Sequence, residues 1–392
     1  MLIIKNALVY APEKLGKKDL LIAGERIVAI EDHIDASCLP GQVEQIDAAG
    51  RALTPGFIDG HVHITGGGGE GGYRTRTPEL CLSDATRAGV TTVIGVLGTD
   101  GVARSLEALV AKAYGLREEG LSAWCYTGAY RVPLPTISGD IMRDIMMIEP
   151  IIGAGEVALS DHRSTKPTDA ELARLASEAR LGGMLSGKAG IVNIHLGDAP
   201  EGLEPLERVC GKGDLPRSQF LPTHCNRNRA LLKRSYAWAR EGGNIDFTTS
   251  TVPAFLADGE TSAAACLARL KGEGVPLDRA TVTSDGQGSL PRFDAAGVMT
   301  GLDLGSCYSL VDTLREAVQK HGMALEELLP FMTANPARIL KLPRKGAIAL
   351  GMDADIVILD KDLKPATVVA RGLVMLRDGA VEVRGSFEGE PR

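Results

Sequence analysis

The sequence predicts an α/β fold, a (β/α)8 barrel of the TIM type joined to a small composite β-sandwich drawn from both termini. Three observations predict it. Apolar runs ending in polar or charged residues recur through the middle of the chain at roughly 25–37 residues, the length of a strand with its crossover helix. The segments between these runs carry helical periodicity. Both ends of the chain read instead as short strands and turns, and each end is too small to bury a core alone.

The elements follow in order. Residues 1–55 hold the β-like runs Leu2-Ile3-Ile4, Ala7-Leu8-Val9, Asp19–Ile22 and Arg26–Ile30, with Ala23-Gly24-Glu25 as a hairpin turn. Eight apolar runs follow, near 57–63, 91–97, 122–129, 156–161, 190–196, 219–224, 244–249 and 280–285. Helical spacing between them shows in Leu106, Leu109, Val110 and Ala113, in Leu172, Leu175 and Ala176, and in Leu231, Leu232, Tyr236 and Ala237. Eight βα units close into a barrel more readily than they form an open sheet, and a barrel carries its chemistry where the strands end. From about 346 the chain returns to strands, at Asp355–Leu359, Ala366–Ala370 and Gly372–Leu376. The expected division is a sandwich from 1–55 and 346–392 and a barrel from 56–345 that carries the active site.

Composition narrows the function. The 392 residues are 44% hydrophobic and 24% charged, which suits a globular protein and not a disordered chain. Acidic residues outnumber basic ones, 50 to 43, and there are only seven Phe, seven Tyr and two Trp. That excludes the basic stripe and stacking platform of a nucleic-acid binder. No apolar run approaches a membrane span, and Met1–Tyr10 lacks the order of a signal peptide. The seven Cys are odd in number and scattered without a CxxC, as expected of reduced thiols in a cytoplasmic enzyme. Cys225 alone lies beside a motif, and packing is the expected role.

The chemistry gathers at the strand ends. His61, His63, His162, His195 and His224 all fall there, while His33 and His321 read as surface residues. In Gly60-His61-Val62-His63 the two imidazoles point the same way from a strand, into the barrel mouth. His195, His224 and Asp285 close three further strands. Four His and one Asp converging on one barrel face read as a metal site, and nitrogen and oxygen donors without thiolate suit Zn²⁺ or a similar ion. Glu156, on the fourth strand, is either a carboxylate bridging two metals or an exposed charge at the strand start. A metal-activated hydroxide is a nucleophile at neutral pH, and Asp285 can take its proton and pass it to a leaving amine. The expected reaction is hydrolysis of an amide-like bond.

Other residues describe a substrate. Glu70 sits in the glycine run 66–72, which lacks the Lys-Ser/Thr of a phosphate loop, and a carboxylate on such a loop suits a substrate ammonium. Arg163 and Arg227 follow strands four and six; each alone reads as a surface ion pair, but two at one barrel mouth suit carboxylates. Ser289 is placed to contact a carboxylate, and the Tyr130 hydroxyl to donate to a developing oxyanion. One ammonium, two or more carboxylates and one amide describe a small acidic dipeptide.

The chain resembles the amidohydrolase superfamily through PGFIDGHVH (55–63), His195, His224, Asp285, TANPA (333–337) and the turn Gly351–Asp355. Within it the chain resembles the isoaspartyl dipeptidases over nearly its whole length, through HVHITGGGGEGG (61–72), TGAYRVP (127–133), SDHRS (160–164), LPTHCNRN (221–228) and SDGQGS (284–289). The resemblance implies a metal-dependent hydrolase barrel with two zinc ions. It implies His61, His63 and Asp285 on one ion and His195 and His224 on the other. It implies Glu70 on the substrate ammonium, Tyr130 on the scissile carbonyl, and Arg163, Arg227 and Ser289 on carboxylates. It also implies a cytoplasmic homo-oligomer, an octamer. One position departs: where well-known members carry a carboxylated lysine bridging the metals, this chain has Glu156, and neither Lys166 nor Lys188 is in register to replace it. Glutamate is shorter, so the strand or the metals shift, or one metal binds weakly.

The leading expectation is therefore a metal-dependent isoaspartyl dipeptidase. The same metal set would serve a hydrolase of cyclic amides, of the dihydroorotase or hydantoinase kind, or of N-acyl amino acids. A non-catalytic scaffold on the same barrel rests on the Glu156 departure alone.

Overall fold

The computed structural model describes residues 1–294 and 299–389. The chain starts with β1 (Leu2–Tyr10), β2 (Lys14–Ala23), β3 (Arg26–Glu31), β4 (Glu44–Asp47) and β5 (Ala52–Pro55). The separate runs at Leu2 and Ala7 prove to be one strand, β1, with a register shift between Ile4 and Ala7. The expected hairpin turn joins β2 to β3, pairing Ala23 with Arg26.

The barrel strands follow: β6 (Phe57–Val62), β7 (Val90–Gly95), β8 (Ser122–Thr127), β9 (Ile151–Leu159), β10 (Ile191–Leu196), β11 (Phe220–Thr223), β12 (Ile245–Thr248) and β13 (Ala280–Thr283). Strands β6 to β11 form one parallel sheet in sequence order, and β12 and β13 form a parallel pair. The ring is closed by single links. Cys225 N donates to Asp246 O between β11 and β12, and His63 N donates to Gly286 O where β6 meets the end of β13. Inside the barrel, the buried Asp246 carboxylate on β12 accepts the hydroxyls of Thr223, Thr281 and Thr283 at 2.6–2.7 Å. These bonds tie β11 to the β12–β13 pair where the ladder between β11 and β12 is interrupted.

Alternation along the strands sorts the core into two layers. Phe57, Val93, Cys125, Val157, Val192 and Phe247 belong to the cluster shared with the surrounding helices. Ile58, Ile94, Tyr126, Ile152, Ile191 and Leu221 pack with Ile339 and Leu340 in another cluster. The crossover helix Asp169–Ser186 starts at a capping box in which Thr168 and Glu171 satisfy each other's backbone N–H groups. Its length returns the chain from β9 to the start of β10.

After β13 comes a hairpin, β14 (Ser289–Phe293) and β15 (Met299–Leu304), which the sequence reading did not foresee. The chain ends in β16 (Ile356–Leu359), β17 (Pro365–Ala370), β18 (Leu373–Arg377) and β19 (Ala380–Val381). Both termini share one nine-stranded sheet, because β5 pairs with β1 on one side and with β16 on the other. The sheet folds over itself: Leu20, Ile22 and Ile27 from one end share an apolar cluster with Ile356, Ile358 and Val369 from the other. Among the described residues, no helix is long and apolar enough to cross a membrane.

Candidate metal centre and cavity

The strand ends bring the expected side chains to one place. His61 lies on β6 and His63 one residue beyond it, with ring centroids 5.6 Å apart. His195 is on β10, and His224 and Asp285 follow β11 and β13. Their backbones at His224 (φ 62°) and Asp285 (φ 53°) are left-handed, an uncommon conformation for non-glycine residues that collects at functional sites. Glu156 is not at a strand start. Strand β9 begins five residues earlier, where Gly153, Ala154 and Gly155 hide the strand pattern, so Glu156 is in mid-strand and 1% exposed.

Two donor triads result. In the first, His63 Nε2 lies 3.1 Å and His61 Nε2 3.6 Å from Asp285 Oδ1, and His61 Nε2 lies 3.4 Å from Glu156 Oε2. In the second, His195 Nδ1 lies 2.9 Å and His224 Nε2 3.5 Å from Glu156 Oε1, with the two nitrogens 3.0 Å apart. Tetrahedral zinc with ligands at about 2.0–2.1 Å has donor–donor edges of about 3.3 Å. These spacings bracket that value, and Glu156 offers one oxygen to each triad. The fit has a second support. His61 Nε2, Glu156 Oε2 and Asp285 Oδ1 are buried without a hydrogen-bond partner, a costly state that a cation between them would relieve. His61, His63 and Asp285, and likewise His61, Glu156 and His224, are spaced to hold a metal ion.

The electrostatics agree. Burial alone would raise the Glu156 carboxyl, but the His61 charge and the neighbouring His195 and His224 imidazoles hold it well below the usual range. Burial works against ionised Asp285 too, yet the neighbouring His63 brings it down to about 2. Burial and the neighbouring His195 pull His224 down to about 3. Against burial, Glu156 and Asp285 push His61 up to about 10, so the carboxylates and imidazoles share protons that a bound cation would displace.

Outer partners aim these rings. His61 Nδ1 donates to Asn193 Oδ1 at 3.1 Å, His224 Nδ1 to Thr248 Oγ1 at 2.6 Å, and His195 Nε2 to Asp161 Oδ2 at 2.9 Å. Each bond turns the other ring nitrogen toward the centre. The sequence reading assigned Asn193, Thr248 and Asp161 no role. Only Asp161 carried a signal, its place in SDHRS beside a strand end.

A cavity of about 990 Å³ opens over the triads, and Glu70, Tyr130, Arg163, Arg227 and Ser289 all line it. The glycine loop folds tightly: a side chain at Gly66 (φ 80°) would meet Thr77 O at 2.4 Å, and one at Gly68 (φ 67°) Thr75 O at 2.7 Å. Thr77 Oγ1 ties the loop to the Asp285 turn by donating to Gln287 O at 2.6 Å. Glu70 Oε1 accepts from Thr99 Oγ1 at 2.9 Å and pairs with Arg163 Nη1 at 3.2 Å. The remaining fork of Arg163 is held by Asp161, at 2.8–2.9 Å. Arg227 is more loosely held, 3.6 Å from the exposed Asp198. The Tyr130 hydroxyl lies 2.7 Å from His195 Nδ1, and burial, with Glu156 nearby, raises its pKa well above the usual value. It therefore stays a donor at neutral pH. His162 stands on the cavity rim with its side chain 88% exposed, outside the donor cluster.

Comparison with known proteins agrees with this geometry. The model of the amidohydrolase family matches residues 265–378. A crystal structure of a beta-aspartyl dipeptidase from Fervidobacterium islandicum AW-1, in complex with beta-Asp-Leu dipeptide, is 46% identical. The match covers 99% of this chain and 98% of that one, with a TM-score of 0.91. A second structure of a beta-aspartyl dipeptidase from Fervidobacterium islandicum AW-1 is 44% identical, over 99% and 100% of the two chains, with a TM-score of 0.89. A dihydroorotase of Listeria monocytogenes is 26% identical over 95% of this chain and 93% of its own.

Proposed function

We propose that this chain, which belongs to the amidohydrolase family, is a metal-dependent hydrolase that splits the β-aspartyl peptide bond of dipeptides. The observation that carries this reading is the Glu70–Arg163 pair, 3.2 Å apart on the wall of the cavity over the donor triads. A β-linked aspartyl residue keeps its α-ammonium and α-carboxylate on one carbon. Adjacent carboxylate and guanidinium groups match that head, the ammonium on Glu70 and the carboxylate on Arg163. An α-linked aspartyl residue has no such head, since its α-carboxyl is in the peptide bond. The match to proteins whose structures carry the name beta-aspartyl dipeptidase supports the same reading.

The chain's residues divide the work. His61, His63 and Asp285 would hold one divalent ion and His195 and His224 the other, with Glu156 between them; zinc fits the donors. Ions bound there supply Lewis acidity and lower the pKa of water to near neutrality. Asp285 accepts the proton of the attacking water and delivers it to the leaving amine. The Tyr130 hydroxyl, beside the second triad, donates to the scissile carbonyl oxygen as charge develops there. Arg227 and Ser289 hold carboxylates, Arg227 on the leaving residue. Association of the chain as a homo-oligomer in the cytoplasm belongs to the same proposal.

The test is hydrolysis of β-aspartyl-leucine, with α-aspartyl-leucine as control and zinc supplied. Cleavage of the β-linked dipeptide alone is expected, and Glu70→Gln should lose most of it. Turnover of dihydroorotate in place of either dipeptide would overturn the reading in favour of a cyclic-amide hydrolase.

A further inference from the structure

Glu260 is a mostly buried carboxylate that the reaction just described leaves unused. It lines the large cavity and also an outer, open cavity of about 680 Å³, so it stands in the wall between them. Its Oε2 accepts from Thr251 Oγ1 at 2.8 Å, and its Oε1 faces Asn226 Nδ2 at a long 3.4 Å. Among the described residues no cation pairs with it. Arg227, on the same wall, pairs with Asp198 and acts on Glu260 only by its charge at a distance, and Arg229, Lys233 and Arg269 of the outer cavity form no ion pair with it. Arg234 is taken up by Glu204 and Glu207. A carboxylate withdrawn from water without a cation is costly to the fold, which makes it a candidate for work at the site.

Its surroundings indicate what it would meet. Glu260 N donates to Phe255 O at 3.0 Å, closing a loop that presents the Phe255 ring to the same cavity. Asn226 joins Glu260 to the centre, since its side chain holds Thr248 O at 3.0 Å and Thr248 holds His224. Arg227 follows Asn226 directly. A leaving residue whose carboxylate rests on Arg227 therefore shares its cavity with Phe255 and with a carboxylate that has no direct ion pair among the described residues. A long aliphatic stem ending in a cation suits both, the stem on Phe255 and the head on Glu260.

We propose that Glu260 is a specificity-determining residue that favours β-aspartyl dipeptides whose leaving residue is basic, lysine or arginine. The proposal rests on the β-aspartyl reading given above. Burial pushes the Glu260 carboxyl up to about 7, and a cation brought beside it would complete its ionisation.

The test compares kcat/KM for β-aspartyl-lysine and β-aspartyl-norleucine, which differ only by the terminal ammonium, on the zinc-supplied full chain. The wild type should favour lysine by roughly tenfold or more, carried mainly in KM. In Glu260→Gln, whose amide can still accept from Thr251, the ratio should fall to about one. A wild-type ratio near one, or a variant that keeps the wild-type ratio, would overturn the proposal while leaving the β-aspartyl reading intact. Should the variant fail to fold, the wild-type ratio alone decides. Cleavage of neither dipeptide would overturn both readings together.

Discussion

Asp161 Oδ2 lies 2.9 Å from His195 Nε2, and the same carboxylate grips Arg163 through a two-point fork. One buried residue therefore aims a candidate metal ligand and fixes a candidate substrate anchor. Burial opposes its charge, but the bonds from Arg163 and His195 hold it far below the usual carboxylate range. Asp161→Asn would keep the shape and lose the charge. Outer partners of metal-bound histidines are worth roughly 10–100-fold in metal affinity. A zinc titration with a competing chelator should show a loss of that size, together with a raised KM for β-aspartyl-leucine. Unchanged zinc affinity would remove the first role, and an unchanged KM the second.

Glu156 joins the triads through separate oxygens, 3.4 Å from His61 Nε2 and 2.9 Å from His195 Nδ1. Glu156→Gln replaces one of these oxygens with an NH2 group, which cannot bind a cation. We expect metal analysis after dialysis to show at least one fewer ion per subunit than the wild type. Equal metal content in the two proteins would mean that Glu156 does not bridge.

Tyr130 is held beside the second triad, with Arg163 lying 5.2 Å over its ring. Tyr130→Phe removes one hydroxyl and keeps the packing. Loss of one oxyanion donor lowers kcat by roughly 10²–10³-fold. Steady-state kinetics should show that fall with little change in KM, while zinc content stays at the wild-type level. A loss confined to KM would make Tyr130 a binding residue.

Much of this was legible in the chain. The period-two pair His61 and His63, and the strand-end places of His195, His224 and Asp285, follow from local pattern alone. What stayed hidden depends on tertiary approach. Asn193 and Thr248 are ordinary polar residues until a neighbouring strand brings an imidazole within hydrogen-bond reach. The left-handed backbones at His224 and Asp285 leave no mark in residue type. The β14–β15 hairpin was missed because Pro291 and Gly301 interrupt alternation, although Leu290 and Leu302 line the cavity.

Lys188 shows the same limit in a structural role. Read only as out of register for a bridging lysine, it donates from Nζ to the carbonyls of Ile145, Ile148 and Ile151 at 2.6, 2.7 and 2.9 Å. It thereby clamps the turn that leads into β9, the strand of Glu156. Lys188→Met removes three hydrogen bonds, although Ile148 O keeps the Ile151 N–H, and should destabilise the fold by about 1–3 kcal/mol. Chemical denaturation measures the change; a loss under about 0.5 kcal/mol, the scale of an ordinary surface change, would show that water replaces the clamp.

Glu260 makes stability depend on pH in a direction opposite to a salt-bridged acid. Burial raises its carboxyl from 4.5 to about 7 in the folded chain. Between those values the folded state binds more protons than the unfolded one, so stability falls as pH rises through this window. Below about pH 4 the penalty is absent, and above about pH 7 it is fully present, at up to about 3 kcal/mol. Glu260→Gln cannot titrate. Denaturant melts of the two proteins should therefore diverge as pH rises from 5 to 8, with the variant the more stable at the upper end. A variant equally stable across that range would mean that the Glu260 carboxylate is well solvated, and would weaken its case as a receptor for the leaving residue's cation. A gain in stability together with a loss of selectivity for lysine would identify Glu260 as a group held at a cost to the fold for the sake of the substrate.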